Sequence, residues 1–307
     1  MPSKTSKNVN ISVIIPTHNR PAYLENALRS VQSQTYKNFE VIVIDDGLKQ
    51  RAYSTVQKFD DLDIIYIKNE KNIGGAASRN RGIAQAHGEH VAFLDDDDEW
   101  FPEKLQTQYR ILKKYSDQID FTFCRIQLKR EETGEITRKS FQKEGIYNFY
   151  EDLIDHRLRI FTPSLLIKKE TLKKNGGFDV SFPSSQEWEL MIRVSKNSKG
   201  YVQNNILVHV TMLAGDHIGG NLLRRIRGRE MLVEKHIDEL KKRPKVLARH
   251  YFQLGLFCKD SRQFKKARCY FTKALALRPY FFRYLLHGLL SLAGGLGYVL
   301  AHKIKDS

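Results

Sequence analysis

Residues 93–100, FLDDDDEW, place four consecutive aspartates, Asp95 to Asp98, between an apolar run and a tryptophan. Adjacent carboxylates repel one another, and either a divalent cation or full exposure to water offsets the repulsion. Alternate side chains of an extended or tightly turned backbone share a direction, so Asp95 and Asp97 are expected to face one cleft while Asp96 points elsewhere. Two carboxylates plus substrate phosphates make a common ligand set for Mg2+ or Mn2+. The plainer alternative is a solvated acidic loop or a helix cap. A second pair, Asp45 and Asp46, ends the run FEVIVI; one suits a helix cap and the other a hydrogen bond to a base or ribose. Arg79, Arg81, Gly74 and Gly75 add positive charge and close backbone approach. Convergence of these groups favours a nucleotide diphosphate over a lone metal ion.

Proton transfer needs a further group, and Glu187 is the candidate general base. It is expected in the first turn of a helix and next to Trp188, where an apolar setting raises proton affinity and the helix field lowers it. Its alternative is a structural cap. His209 and His217 lie beyond it and are candidate loop contacts to a diphosphate or metal, with Gly215, Gly219 and Gly220 making loop closure plausible. An ordinary packed or exposed histidine is the competing reading.

The elements that must position these groups alternate. ISVIIP (11–16), FEVIVI (39–44), DIIYI (63–67) and HVAFL (90–94) read as buried strands, while the segments from Pro21, from Ala76 to Ala86 and over 102–115 read as helices. That order predicts an α/β fold with a mainly parallel sheet, in which ligands collect beyond the carboxyl ends of the strands. A hairpin or loop is expected around Gly134, a strand in FTPSLLIKK, and a helix beginning near Ser184 or Ser185.

The formal net charge of +16 is concentrated near one end: residues 221–307 hold 20 Lys and Arg against 6 Asp and Glu. The basic character therefore belongs to an expected α-helical extension, and without a recognisable recognition module it does not point to nucleic acid. Three scattered cysteines fit a reducing, cytoplasmic setting, and the first ten residues lack the apolar core of a secretory signal. The expected organisation is a loose tail over 1–9, a catalytic domain over 10–220 and a basic helical region over 221–307. Its leucine- and aromatic-rich end, from residue 280, suggests peripheral contact with the anionic inner face of the plasma membrane, with a soluble helical appendage bearing a solvated basic face as the alternative.

The runs SVIIPTHNRPAYLENALRSVQSQTYKNFEVIVIDDG, NIGGAASRNRGIAQAHGEHVAFLDDDDEWFPEKLQTQ, GGFD and QEWELMIRV, in that order, resemble family-2 glycosyltransferases with the GT-A fold over roughly residues 10–210. The resemblance implies inverting transfer of a sugar from a nucleoside diphosphate sugar, with a UDP-sugar favoured, to a saccharide or lipid-linked saccharide hydroxyl. It places Pro16, His18, Asp46 and Arg79 at the donor, with His18 near the base and Asp46 contacting it. Asp95 and Asp97 match the D-x-D metal positions, with Asp97 the direct ligand; Asp96 becomes a sugar or ribose contact, and Asp98 and Trp100 structural or acceptor-side residues. Glu187 matches the catalytic carboxylate, although the family usually has aspartate there, and Glu189 is the alternative. The loop DDGLKQR also departs from the family, which commonly follows that glycine with serine or threonine. Retaining transfer, nucleotidyl transfer and non-catalytic nucleotide-sugar binding are the competing functions. Tyr251, Leu254, Gly255, Ala267, Phe271, Ala274 and Pro279 resemble the spacing of one tetratricopeptide repeat, giving a helix pair over 248–281 that packs on the catalytic domain, caps it or supports a homo-oligomer.

Overall fold

The β-branched runs become a parallel block in the order β3-β2-β1-β4, made of β1 (Ile11–Thr17), β2 (Phe39–Asp45), β3 (Ile64–Lys68) and β4 (His90–Phe93). A computed structural model describes residues 9–49, 52–138, 144–212 and 221–292. Every residue of β2 is buried, as expected of a strand covered on both faces. The helix α1 (Pro21–Gln32) starts on its proline and buries Leu24, Ala27, Leu28 and Val31. Burial of each larger side chain contributes about 1.5–3 kcal/mol. Three further helices, α2 (Tyr53–Val56), α3 (Gly74–Gln85) and α4 (Lys104–Lys114), complete this half.

Beyond β4 the sheet becomes mixed. The short β5 (Glu99–Trp100) is followed by β6 (Phe121–Arg130), which turns through Gly134 into β7 (Ile136–Arg138) as the expected hairpin. Then come β8 (Gly145–Tyr147), α5 (Tyr150–Ile154), β9 (Leu165–Lys168), α6 (Lys169–Lys174) and α7 (Gln186–Ser195). The expected strand in FTPSLLIKK is β9, preceded by a 3-10 turn and antiparallel to both β4 and β6. Helix α7 begins where expected, at Gln186 directly after Ser185, whose φ of +62° lies outside the right-handed region and marks the boundary.

The last strand, β10 (Gly200–Met212), runs parallel to β6 and antiparallel to β5 and β8. Its pairing slips between Gln203 and Ile206 and again between Ile206 and Val208, so the polar Asn204-Asn205 is carried as a bulge. This corrects the expectation for His209, which sits within a strand opposite Glu99 and Gln127, not in a loop.

Contacts divide the chain into two units, one of residues 1–180 and 187–214, the other of residues 181–186 and 215–307. The second holds α8 (Leu222–Lys235), α9 (Ile237–Lys241), α10 (Pro244–Asp260), α11 (Phe264–Leu277) and α12 (Phe282–Leu292). Helices α10 and α11 form a hairpin whose close approach depends on Gly255, where a β-carbon would lie 2.4 Å from the Phe271 ring. Among the described residues, no helix is long and apolar enough to cross a membrane.

Candidate functional site

The carboxyl ends of β2, β1 and β4 lie side by side, and the polar loops that follow them form the site. After β4 the chain makes a tight turn closed by Asp98 N–H donating to the Asp95 carbonyl at 3.1 Å, so the four aspartates point to four environments. Asp95 forms an ion pair with Arg79. Asp97 accepts from Arg20 at 3.0 Å. Asp96, expected as a sugar or ribose contact, is buried and accepts from the Thr17 hydroxyl at 2.8 Å, with Arg20 3.6 Å away. Asp98 is buried and accepts the Thr211 N–H at 2.9 Å, which ties the turn to β10.

Two arginines do not neutralise this cluster. Burial and then the Asp97 charge push the Asp96 carboxyl up to about 7, against the opposing pull of Thr17 and Arg20. Burial and then Asp95 raise Asp97, partly offset by Arg20; burial, Asp97 and Asp95 hold Asp98 well above the usual carboxylate range. A cluster that gains by taking up protons gains by binding a cation, and its donors are hard oxygens. Among the described residues no group of three or more His, Cys, Asp and Glu is arranged to hold a metal. Asp95 and Asp97 nevertheless fit a magnesium-type site that draws its remaining oxygens from phosphate and water.

The pair at the end of β2 is arranged differently. Asp45 accepts the N–H groups of Gly47 and Ala52, both at 2.9 Å, and the Tyr66 hydroxyl. Asp46 accepts the N–H groups of Ile73 at 2.8 Å and Gly74 at 2.9 Å and the Asn69 amide at 3.0 Å. Gly74 has φ +82°, which a side chain rarely adopts, as the chain leaves this turn into α3. Asp46 was expected to meet a base, but its buried carboxylate is committed to this turn. His18 is exposed and donates from Nδ1 to the Asp46 carbonyl at 2.8 Å, while its Nε2 accepts from Asn19 at 3.1 Å. Pro16 lies within β1, opposite Ile44.

Glu187 stands in the first turn of α7 with Arg159 3.7 Å away. Burial works against the charge of Arg79, yet Asp95, Glu187 and Asp97, in that order of strength after burial, raise its proton affinity. Glu187 and the aspartate turn therefore share the surroundings of one guanidinium. Trp188 is buried, donates to the Leu153 carbonyl at 2.8 Å and lies 4.1 Å from the His156 ring. The alternative base, Glu189, is fully buried and paired twice at 2.7 Å with Arg193, which also binds the Gly177 carbonyl. It braces the GGFD turn and is closed to an acceptor.

His209 has its Nδ1 3.1 Å from the Gln127 amide and its ring 6.3 Å from Phe101, and among the described residues its side chain makes no hydrogen bond to Asp95–Asp98. Burial and then Lys129 lower its proton affinity. His217 lies outside the described residues. Thr17 and Arg20 bound the polar loop after β1, which the sequence places at the ligand end of the sheet without giving either residue a role; Arg159 carries no such signal.

The family model Glycosyl transferase family 2 matches residues 12–171. An uncharacterised glycosyltransferase of Methanocaldococcus jannaschii is 32% identical over 197 residues, covering 61% of this chain and 65% of that protein. The GalNAc(5)-diNAcBac-PP-undecaprenol beta-1,3-glucosyltransferase of Campylobacter jejuni is 28% identical over 286 residues, 87% of this chain and 89% of that protein. The matches to the Methanocaldococcus protein and to a relative in Haemophilus influenzae span only 65% and 61% of those proteins' lengths. Among solved structures, S. aureus TarS 1-349 in complex with UDP-GlcNAc superposes with a TM-score of 0.72 at 19% identity, covering 95% of this chain and 92% of that one. The fold is the expected GT-A-like α/β arrangement with a mixed, mostly parallel sheet and added C-terminal helices.

Proposed function

Because this chain belongs to glycosyl transferase family 2, we propose that it moves a sugar from a nucleoside diphosphate sugar to an acceptor hydroxyl with inversion at the anomeric carbon. The observation that carries this reading is the under-neutralised aspartate turn with Glu187 beside the same arginine. Residues 10–220 act as the catalytic domain. The diphosphate rests on the β1 and β4 ends, and Asp95 and Asp97 would hold Mg2+ or Mn2+, with Asp97 the closer ligand. That ion supplies charge neutralisation to the departing diphosphate. Arg20 and Arg79, which pair with the carboxylates without neutralising them in the free protein, add positive charge beside the leaving group.

Glu187 removes the proton of the acceptor hydroxyl as its oxygen bonds to the anomeric carbon and the bond to the diphosphate breaks; the proton remains on Glu187. Its half-buried but still accessible position in the first helical turn supports this role, and the full pairing of Glu189 removes the rival. His18 and Pro16 lie on the base side, where Asp46 acts through the Ile73–Gly74 turn it holds. A relative named for UDP-GlcNAc binding favours a UDP-sugar. One named for an undecaprenol-linked substrate, and one for amylovoran biosynthesis in Erwinia amylovora, favour a lipid-linked saccharide acceptor in polysaccharide or glycoconjugate synthesis at the cytoplasmic face. The α10–α11 hairpin is read as one tetratricopeptide-like unit, too short for a peptide groove.

The test is a panel of nucleotide sugars incubated with and without Mg2+, Mn2+ or a chelator, with the anomeric configuration of the product determined. Metal-dependent turnover of one donor to an inverted product supports the reading. Retained configuration, or release of pyrophosphate in place of nucleoside diphosphate, overturns it.

A further inference from the structure

We propose that the helical unit carries a docking surface for an anionic phospholipid bilayer, centred on α12. This goes beyond the transferase reading and does not depend on it.

Helix α12 is anchored by one face. Tyr284 is buried and stacks on Phe252 at 4.6 Å, and the His287 ring lies 5.2 Å from Phe252 and 5.4 Å from Phe271. With that face used, the opposite stripe, Phe282, Leu285, Leu286 and Leu289, follows i, i+3, i+4, i+7 spacing and stays exposed, Phe282 at 74% and Leu289 at 56%. Tyr280, just before the helix, is 99% exposed. Isolated exposed apolar residues need no explanation, but a continuous stripe of large ones beside an aromatic marks an interaction surface.

Charge selects the partner. From Ser261 to Leu292 the chain has seven cationic residues, Arg262, Lys265, Lys266, Arg268, Lys273, Arg278 and Arg283, and no acidic one. Lys266 is paired with Glu230, while Arg262, Lys265 and Arg283 are exposed. Two copies meeting about a two-fold axis would bring these like charges together, which disfavours self-association through the stripe. A bilayer with anionic headgroups accepts both features: aromatic and leucine side chains enter the headgroup boundary while the cations stay at the surface, each strengthening binding about fivefold.

The full chain is tested by co-sedimentation with vesicles of phosphatidylcholine alone or with 30 mol % phosphatidylglycerol (about a typical anionic fraction). The expected result is binding at least tenfold stronger to the anionic vesicles and weakened by salt (two cations at about fivefold each give about 25-fold). The triple variant Phe282→Ser, Leu286→Ser, Leu289→Ser is expected to lose that binding while keeping its Tm and its turnover of a soluble acceptor. The pair Lys265→Gln, Arg283→Gln is expected to lower only the anionic preference. Equal binding to both vesicles, binding to neither, or a dimer that the triple variant abolishes would each overturn the proposal, the last by assigning the stripe to a second copy. Glu187→Gln should bind vesicles like the unaltered chain, so failure of the transferase reading and failure of docking are separately visible.

Discussion

Two acidic groups stand at the ends of β2 and β4, the strands on either side of β1 in one sheet, and their surroundings are opposite. Asp45 and Asp46 each accept from three donors, most of them backbone N–H groups. Asp95, Asp96 and Asp97 share two arginines and one threonine, and burial with mutual repulsion lifts Asp96 and Asp97 toward the protonated form. Backbone donors cannot leave without opening the loop, whereas arginine side chains rotate. The first pair is complete as it stands and builds the walls; the second is left for a ligand to complete. Acidic residues alone do not mark a binding site, but the source of their compensation does.

The largest break in this contrast is expected away from both groups. Glu187→Gln keeps the shape of the side chain and removes the base, so kcat should fall by about 10²–10⁴ with donor affinity kept. A fall in donor affinity without a fall in kcat would move Glu187 from the acceptor side to the donor side. Next, Asp97→Asn should lower turnover by about 10²–10³ and raise the metal concentration needed for half-maximal rate. Full activity of this variant in chelator would remove the metal from the reading.

Much of this was legible because it is local. The strand runs 11–16 and 39–44, the proline opening α1 and the DDDD turn after β4 show burial and turn chemistry in their own composition. What was not legible depends on partners distant in sequence. Strand β10 hides because its bulge interrupts the alternation at Asn204-Asn205, and it is held by β6 some eighty residues earlier. Nothing around Asp46 announces that Ile73 and Gly74 will satisfy it, and nothing around Asp97 announces Arg20. The sequence setting of Glu187 singled it out and the family likeness matched it, with Glu189 as the alternative; the fold adds the Arg193 pairing that occupies Glu189.

The contrast also has a pH signature in metal-free protein. The Asp96 carboxyl lies at about 7 in the folded chain against 3.8 for the ordinary group, so between these values the native state binds more protons than the unfolded one. Stability then falls as pH rises through this window, by about 2 kcal/mol between roughly pH 5 and pH 7 from this group. Urea unfolding in chelator should show that loss, and Asp96→Asn should flatten it. Mn2+ should restore stability more at the upper end of the window, where the carboxylates are charged. An unchanged slope in Asp96→Asn would mean that the turn is compensated as fully as the Asp45–Asp46 pair.

The smallest effect decides the role of Asp46. Asp46→Asn puts an amide N–H where the carboxylate accepts from Ile73 or Gly74, at the start of α3. The expected cost is about 1 kcal/mol, as for a lost helix cap, or roughly 2–4 °C in Tm for a chain of this size. Donor KM should rise only as far as the turn loosens, and should recover when low temperature or added osmolyte tightens the fold. A large rise in KM with Tm unchanged would show that Asp46 meets the base directly, and the two acidic groups would then differ in degree of compensation but not in purpose.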